Sequence, residues 1–210
     1  MSSKAVASKD NVVNQLRHCP TATLCNAHPK IKAMSSRIQP LFRGATIGAR
    51  AKTAAISPGQ NAAIHRAIST AIAGQVLVVD GGGSLSYGPF GDILAFYCLK
   101  VGITGLIIDG TVRDSEAITE MRFPVFCLGT HPAPTGKTDP GEIDACITCG
   151  DVTVCPDDIV IADSDGIVIV PDAISKDVYP LVQAIVLKEN EIKKRIEKGE
   201  STCEIFGIEP

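Results

Sequence analysis

Thr104-Gly105-Leu106-Ile107-Ile108-Asp109-Gly110-Thr111-Val112-Arg113-Asp114 is the stretch on which the fold turns. Leu106, Ile107 and Ile108 make a short continuous apolar run, and Asp109-Gly110 closes it with turn chemistry, so Thr104 to Asp109 reads as a buried strand. Downstream, Asp114 to Met121 fits a helix and Pro124 to Leu128 another strand. Upstream, Gly91 to Val101 fits a helix, and Gln75 to Asp80 is a second β-branched run that empties into Gly81-Gly82-Gly83-Ser84. Before it, Gly44 to Ile56 alternates as a strand does. Ser57-Pro58 supplies an N-cap and a first-turn proline, and Ala63, Ile64, Ala67, Ile68, Ala71 and Ile72 recur at helical spacing up to Gly74. Strand and helix alternate throughout, which predicts an α/β core.

From Ala145 the texture changes. Ile147, Val152, Val154, Ile159 to Ile161 and Ile167 to Val170 are short β runs separated by Gly150-Asp151, Pro156-Asp157-Asp158 and Asp163-Ser164-Asp165-Gly166, a pattern of antiparallel hairpins. Pro171 to Lys198 predicts a closing helix with Gly199 as its C-cap, and residues 9–18 and 21–28 predict short helices. The expectation is one domain over 1–210, with an N-terminal helical cap over 1–40 and a C-terminal helix over 171–200.

The 210 residues are 45% apolar with a formal net charge of −3, and the basic residues are dispersed, so the footprint of a nucleic-acid binder is missing. The first residues lack an apolar leader core and no apolar run approaches a membrane span, which predicts a cytoplasmic chain without membrane contact. In that compartment the eight cysteines are expected to be reduced. Cys98 and Cys127 sit among apolar neighbours and read as core. Cys146-Ile147-Thr148-Cys149 with Cys155 invites a zinc or thiol reading, but the stretch reads as a strand, where residues three apart face opposite sides. No second ligand pair at zinc-finger spacing supports it.

Chemistry concentrates elsewhere. Asp92 is followed by twenty residues and then by the pair Arg113-Asp114. Oxygen ligands suit Mg²⁺ or Mn²⁺, and a planar guanidinium suits the carboxylate of a keto acid. Taken singly, Asp92 is an ordinary first-turn acid and Arg113-Asp114 an ordinary surface ion pair. Their place after an apolar strand is what weighs toward function, because α/β folds put ligands at strand C-terminal ends. Gly91 to Leu94 opens a helix whose free N–H groups favour an anion. The triple glycine lacks both the Gly-Lys-Ser/Thr ending of a P-loop and the third glycine of a dinucleotide fingerprint, and is better suited to close approach of a small anion. His18, His28, His65 and His131 are scattered and read as structural or surface residues, His131 being the best placed of them for substrate. Lys100, a Schiff-base candidate, ends a helix about three turns from Asp92 and reads as a complement to the helix dipole.

These residues carry a resemblance. Val76 to Ser84, Gly91-Asp92-Ile93-Leu94-Ala95, Gly105 to Asp114, Phe123-Pro124-Val125-Phe126 and Ile161 to Pro171 resemble the RraA-like family over roughly residues 20–200. That family includes 4-hydroxy-4-methyl-2-oxoglutarate/4-carboxy-4-hydroxy-2-oxoadipate aldolases, which also decarboxylate oxaloacetate. The spacing of aspartate and arginine–aspartate resembles its catalytic branch, whereas the ribonuclease-inhibiting branch typically loses the second aspartate, kept here as Asp114. The resemblance implies a layered α/β/β core with antiparallel hairpins in the second half and helical termini. It also implies a homotrimer or dimer of trimers with Mg²⁺ or Mn²⁺ as cofactor and a small 2-oxo acid as substrate. Asp114 would ligate the metal and Asp92 would hold a water on it. Arg113 would bind the keto oxygen, and the N–H groups of Gly91, Asp92, Ile93 and Leu94 the pyruvyl carboxylate. Glu189, with Glu191 as the alternative, would reach the site from a neighbouring subunit. Asn26, where the family often has aspartate, and the segments Tyr87 to Phe90 and Thr130 to Gly141 depart from the pattern and bear on the distal end of the substrate. The alternative implied is a non-enzymatic regulator that binds an RNA-processing enzyme.

Overall fold

A computed structural model describes residues 11–209. Three strands form the parallel centre: β3 (Ile47–Ala55), β4 (Gln75–Ser84) and β5 (Leu106–Val112), with β6 (Val125–Cys127) parallel to β5. Val76 to Val79 and Leu106 to Ile108 are fully buried, because the sheet is covered on both faces. Leu77, Val79, Leu106 and Ile108 meet α2 (Ala62–Ser69), α3 (Asp92–Val101) and α4 (Ser115–Glu120) through Ile64, Ile68, Ala95 and Ile118. Val76, Val78, Ile107 and Phe126 face the other way, against the hairpin of β9 (Ile147–Cys149) and β10 (Val152–Val154). Each such aliphatic side chain contributes roughly 1.5–3 kcal/mol by leaving water. The α/β/β layering expected from the resemblance is present.

The antiparallel half follows as the turn residues predict. β11 (Ile159–Asp163) pairs with β12 (Gly166–Val170) as a hairpin and with β3 on its other side. Short pieces complete the sheet: β7 (Gly129–Thr130) on β5 and β8 (Glu142–Ile143) on β3. Residues 11–16 are helical, and their Leu16 packs with Leu24 of α1 (Thr21–Ala27) and with Val178 and Val182 of α5 (Ser175–Glu197) against Ile159, Ile161, Val168 and Val170. A 3₁₀ turn at Asp172–Ile174 precedes α5 and α6 (Thr202–Phe206) follows it; Gly199, at φ +98°, turns the chain between them.

Four expectations need correction. Residues 1–10 of the expected N-terminal cap lie outside the described residues, and among those described it is helical only to Ala27: β1 (Lys32–Ala33) joins β12 at one edge of the sheet and β2 (Gln39–Pro40) joins β6 at the other. The eight strands from β1 to β2, laid flat at about 4.8 Å per step, would hold those edges roughly 34 Å apart. The chain from Ala33 to Gln39 can reach no more than about 21 Å. The sheet therefore curls around the core, with Met34 and Ile38 of this strap packed inside the curl.

Second, α2 begins at Ala62 with Asn61 as its N-cap and stops at Ser69, instead of running from Ser57 to Gly74. Ser57 gives its hydroxyl to Asp139, Gly59 turns at φ +76°, and the hydroxyls of Ser69 and Thr70 return to the carbonyl of Arg66 at the other end.

Third, the triple glycine is part of a strand instead of a loop: β4 continues through it with a register shift, Ser84 pairing Gly110. A Cβ at Gly81 would lie 2.5 Å from the Asp109 carbonyl, so at this position glycine permits a close approach to β5.

Fourth, Cys146 and Cys155 are joined in a disulfide, against the expectation of eight reduced thiols. The physical reason is register: Cys149 opposite Val152 and Ile147 opposite Val154 put the next pair outward, Cys146 and Cys155, face to face. Cys149 points into the core, where burial, with the charges of Asp109 and Asp80 added, pushes its thiol far above the ordinary range. Among the described residues no three metal-ligating side chains converge, here or elsewhere.

Candidate active site

The C-terminal ends of β4 and β5 place the site. β5 runs to Val112, and the chain then turns at Arg113-Asp114 into α4; Arg113 donates its N–H to the Phe90 carbonyl at 2.9 Å, which ties this turn to the segment entering α3. Asp114 sits at the N-cap of α4 in left-handed conformation, φ +56° and ψ +38°, and makes no side-chain capping bond. A non-glycine residue at positive φ costs of order 1–3 kcal/mol unless its surroundings demand it. The effect here is directional. The carboxylate swings away from its own helix toward the start of α3, where Oδ2 lies 3.4 Å from the Asp92 N–H nitrogen and 3.4 Å from Arg113 Nε.

Gly91 makes this approach possible, because a Cβ there would overlap Asp114 Oδ2 and crowd Arg113 Nε at 3.2 Å. Gly88 does the same one turn earlier, where a Cβ would lie 2.8 Å from Arg113 Cβ. Asp92, half-buried at the first position of α3, accepts the Ile93 N–H at 2.7 Å. The N-terminus of α3 thus already faces two carboxylates, and the side chains of Arg113 and Asp114 remain 38% and 40% exposed.

Two hollows flank this pair. One, of about 500 Å³, is lined by Asp92, Ile93, Phe96, Ala117, Glu120 and Met121. The other, of about 270 Å³, is lined by Arg113, Asp114, Ser115, Thr130, His131 and Pro132.

Gly91, Asp92, Ile93, Arg113 and Asp114 are brought together, with Leu94 buried beneath them and Ile93 exposed. Glu189 and Glu191 are not: both lie on the distal part of α5, a helix that packs on α1 and the β11–β12 face. Neither lines the two hollows beside Asp92 and Arg113. Lys100 sits at the far end of α3 with its ammonium 5.1 Å from the Phe96 ring centroid, away from Asp92. Asn26 is exposed on α1. His65 titrates low through burial and the nearby charge of Lys137.

One contributor had no signal in the sequence. Asn61, 7% exposed, donates its amide to the Pro89 carbonyl at 2.9 Å and so fixes the loop that carries Gly88 and Gly91. In the sequence it falls inside an apparent helix, where nothing marks it.

Two carboxylates and one guanidinium around a helix N-terminus leave the locality short of positive charge for binding a keto acid. An oxygen-rich, half-exposed donor set of one or two carboxylates is what Mg²⁺ accepts, since it keeps most of its waters. The residues present fit such a cation.

Fold and site together define a class in which an α/β/β core carries an acidic, arginine-containing centre at its parallel strand ends. The family model described as RraA-like, Aldolase/RraA, matches residues 21–169, and the chain belongs to this family. It is 33% identical over 159 residues, 76% of each chain, to a protein of Halalkalibacterium halodurans named "Putative 4-hydroxy-4-methyl-2-oxoglutarate aldolase". A protein of Aromatoleum aromaticum with the same name is 39% identical over 155 residues, covering 71% of this chain and 94% of that one. Among solved structures, RraAS2 of Streptomyces coelicolor, described as an unusual member of the RNase ES inhibitor RraA family, superposes with a TM-score of 0.78 at 27% identity. It covers 89% of this chain and 98% of its own. The RNA-processing inhibitor RraA from Thermus thermophilis gives a TM-score of 0.68 at 30% identity, over 73% and 93%.

Proposed function

We propose that this chain is a divalent-cation-dependent aldolase that cleaves a 4-hydroxy-2-oxo acid to pyruvate and a second carbonyl compound, with oxaloacetate decarboxylation as a side activity. The observation that carries the reading is the left-handed Asp114, whose carboxylate is turned from helix capping toward Asp92 and Arg113. The names of the curated relatives support it.

Asp114, with Asp92 beside it, would hold Mg²⁺ or Mn²⁺. When bound, the cation supplies Lewis-acid polarisation of the 2-oxo group. Arg113 forks onto the keto-acid end and stabilises the negative charge that grows there as the C3–C4 bond breaks. The N–H groups at the start of α3 orient the pyruvyl carboxylate. Asp92, aided by Glu189 from a neighbouring copy in a trimer or dimer of trimers, takes the 4-hydroxyl proton through water. The C3–C4 electron pair passes into the pyruvate enolate, which is then protonated at C3. Loss of CO₂ from oxaloacetate leaves the same enolate, so the same groups serve it.

The test is pyruvate release from 2-oxo acids with Mg²⁺ or Mn²⁺, with and without EDTA. Cation-dependent release above the rate with free metal is expected. The titles of the two RraA structures favour a second reading, a regulator that binds an RNA-processing enzyme; no release from any 4-hydroxy-2-oxo acid or oxaloacetate would leave that reading in place of the first.

A further inference from the structure

Resting on the aldolase reading, we propose that His131 is its specificity residue, donating Nε2–H to an anionic group at the distal end of the substrate. His131 follows β7, whose Thr130 is paired in register with Val112, the residue before Arg113. Its backbone N–H donates to the Val112 carbonyl at 2.8 Å, so the histidine is anchored to the same strand end that presents Arg113 and Asp114.

The ring is oriented as well as anchored. The Ala133 N–H lies 3.2 Å from Nδ1. A backbone N–H can only donate, so Nδ1 must carry its lone pair, and in the neutral ring the proton is then on Nε2. The half-buried side chain lines the hollow of about 270 Å³ that Arg113 and Asp114 also line.

The rest of that wall accepts polar ligands without selecting charge: Ser115 and Thr130 carry hydroxyls, and Pro132 carries no side-chain donor. With Arg113 occupied at the keto-acid end, the imidazole N–H is the one nitrogen donor left among these lining side chains, and the Ala133 contact fixes its direction, whereas a hydroxyl hydrogen rotates. Gly88 holds the assembly close: it donates its N–H to the Ala133 carbonyl at 2.9 Å, and a Cβ there would collide with the His131 carbonyl. The two segments that depart from the family pattern, Tyr87 to Phe90 and Thr130 to Gly141, therefore meet at this wall. A 4-hydroxy-2-oxo diacid, the class to which the compound in the relatives' names belongs, carries such an anionic group beyond C4.

The test compares kcat and KM for 4-hydroxy-2-oxoglutarate and for 4-hydroxy-2-oxopentanoate, which has a methyl group in place of the distal carboxylate. His131→Ala should raise KM for the diacid about tenfold or more, the scale of a hydrogen bond to a charged group, and leave the monoacid within about twofold. His131→Gln places an amide N–H near the Nε2 position and should recover most of the loss. His131→Asn places an acceptor near Nδ1, keeps the Ala133 contact and lacks the distal donor, so it should behave as alanine does.

Equal effects on both substrates, no effect on either, or rescue by asparagine and not glutamine would overturn the assignment while leaving the aldolase reading intact. A wild-type protein that cleaves neither substrate sinks both.

Discussion

The parallel strands β3 to β6 and the antiparallel hairpins β9 to β12 have similar aliphatic cores, but they treat carboxylates in opposite ways. In the antiparallel half two acids, Asp158 and Asp163, are saturated. Asp158 accepts the N–H groups of Cys155 and Asp172 on its two oxygens, at 2.9 and 3.0 Å. Asp163 accepts the Thr21 hydroxyl at 2.7 Å and the N–H groups of Thr21 and Asp165 at 2.9 Å. At the parallel strand ends two others, Asp114 and Asp109, are left short. Asp114 has two contacts of 3.4 Å, and Asp109 Oδ1 is buried with no partner among the described residues. A carboxylate whose lone pairs are filled by backbone donors is finished as structure, whereas one held at positive φ with long contacts is open to a ligand.

The largest expected effect tests the open half. Asp114→Asn should lower cation-dependent pyruvate release more than about a hundredfold while circular dichroism and the melting temperature stay near wild type. Near-normal release would place Asp114 with the structural acids and erase the contrast. Asp92→Asn should be milder if Asp92 acts through water. Next, Arg113→Lys should cost about 10–100-fold in kcat/KM although the charge is kept, because an ammonium cannot fork onto a carboxylate. An unchanged rate would reduce Arg113 to a surface ion pair.

Gly91→Ala perturbs the same place without removing a functional group. Its Cβ would push Asp114 from the start of α3, and a loss of about tenfold in turnover with no more than about 1–3 kcal/mol of stability is expected. In the closed half the effects should be on stability alone. Cys146→Ser with Cys155→Ser opens a short loop, sequence separation 9, and should lower unfolding free energy by about 2 kcal/mol with kcat/KM unchanged. A loss of turnover there would join the hairpin to the site.

The smallest effect concerns Asp163. Burial opposes its ionisation, but hydrogen bonds from the Thr21 N–H, the Thr21 hydroxyl and the Asp165 and Gly166 N–H groups outweigh it, so the carboxyl titrates below its ordinary range. The stability this contributes is fully present above the unfolded value of about 3.9 and is lost as pH falls through the lower folded value. Asp163→Asn should therefore lower the melting temperature at pH 7, and the gap from wild type should close below about pH 4. A gap that persists there would assign the loss to packing.

Much of this was legible in the sequence because it is local. Val76 to Val79 and Leu106 to Ile108 announce buried strands by composition, and Gly150-Asp151 and Asp163 to Gly166 announce hairpins by turn chemistry. That Gly91, Asp92, Arg113 and Asp114 come together is legible from their place after strands. What was missed depends on tertiary pairing. The disulfide could have been read, since Cys146 and Cys155 lie symmetrically about Gly150-Asp151, but only once the hairpin register is assumed. Asn61 could not, because its function is a contact with Pro89 made across a loop. The helix from Ser57 was overextended because Ser57 is engaged by Asp139, 82 residues away, which no window of sequence contains.

The strap between β1 and β2 has a consequence for how the chain matures. Lys32 and Ala33 leave the ribosome long before their partners, Ile169 and Val168. The edge that closes the curled sheet cannot form until the chain through Ile169 is available, and the folded-state partners of Met34 and Ile38 on β9 to β12 are made only in that interval. The nascent protein is committed to late closure. During translation the sheet has its drawstring already made and nothing yet to tie it to.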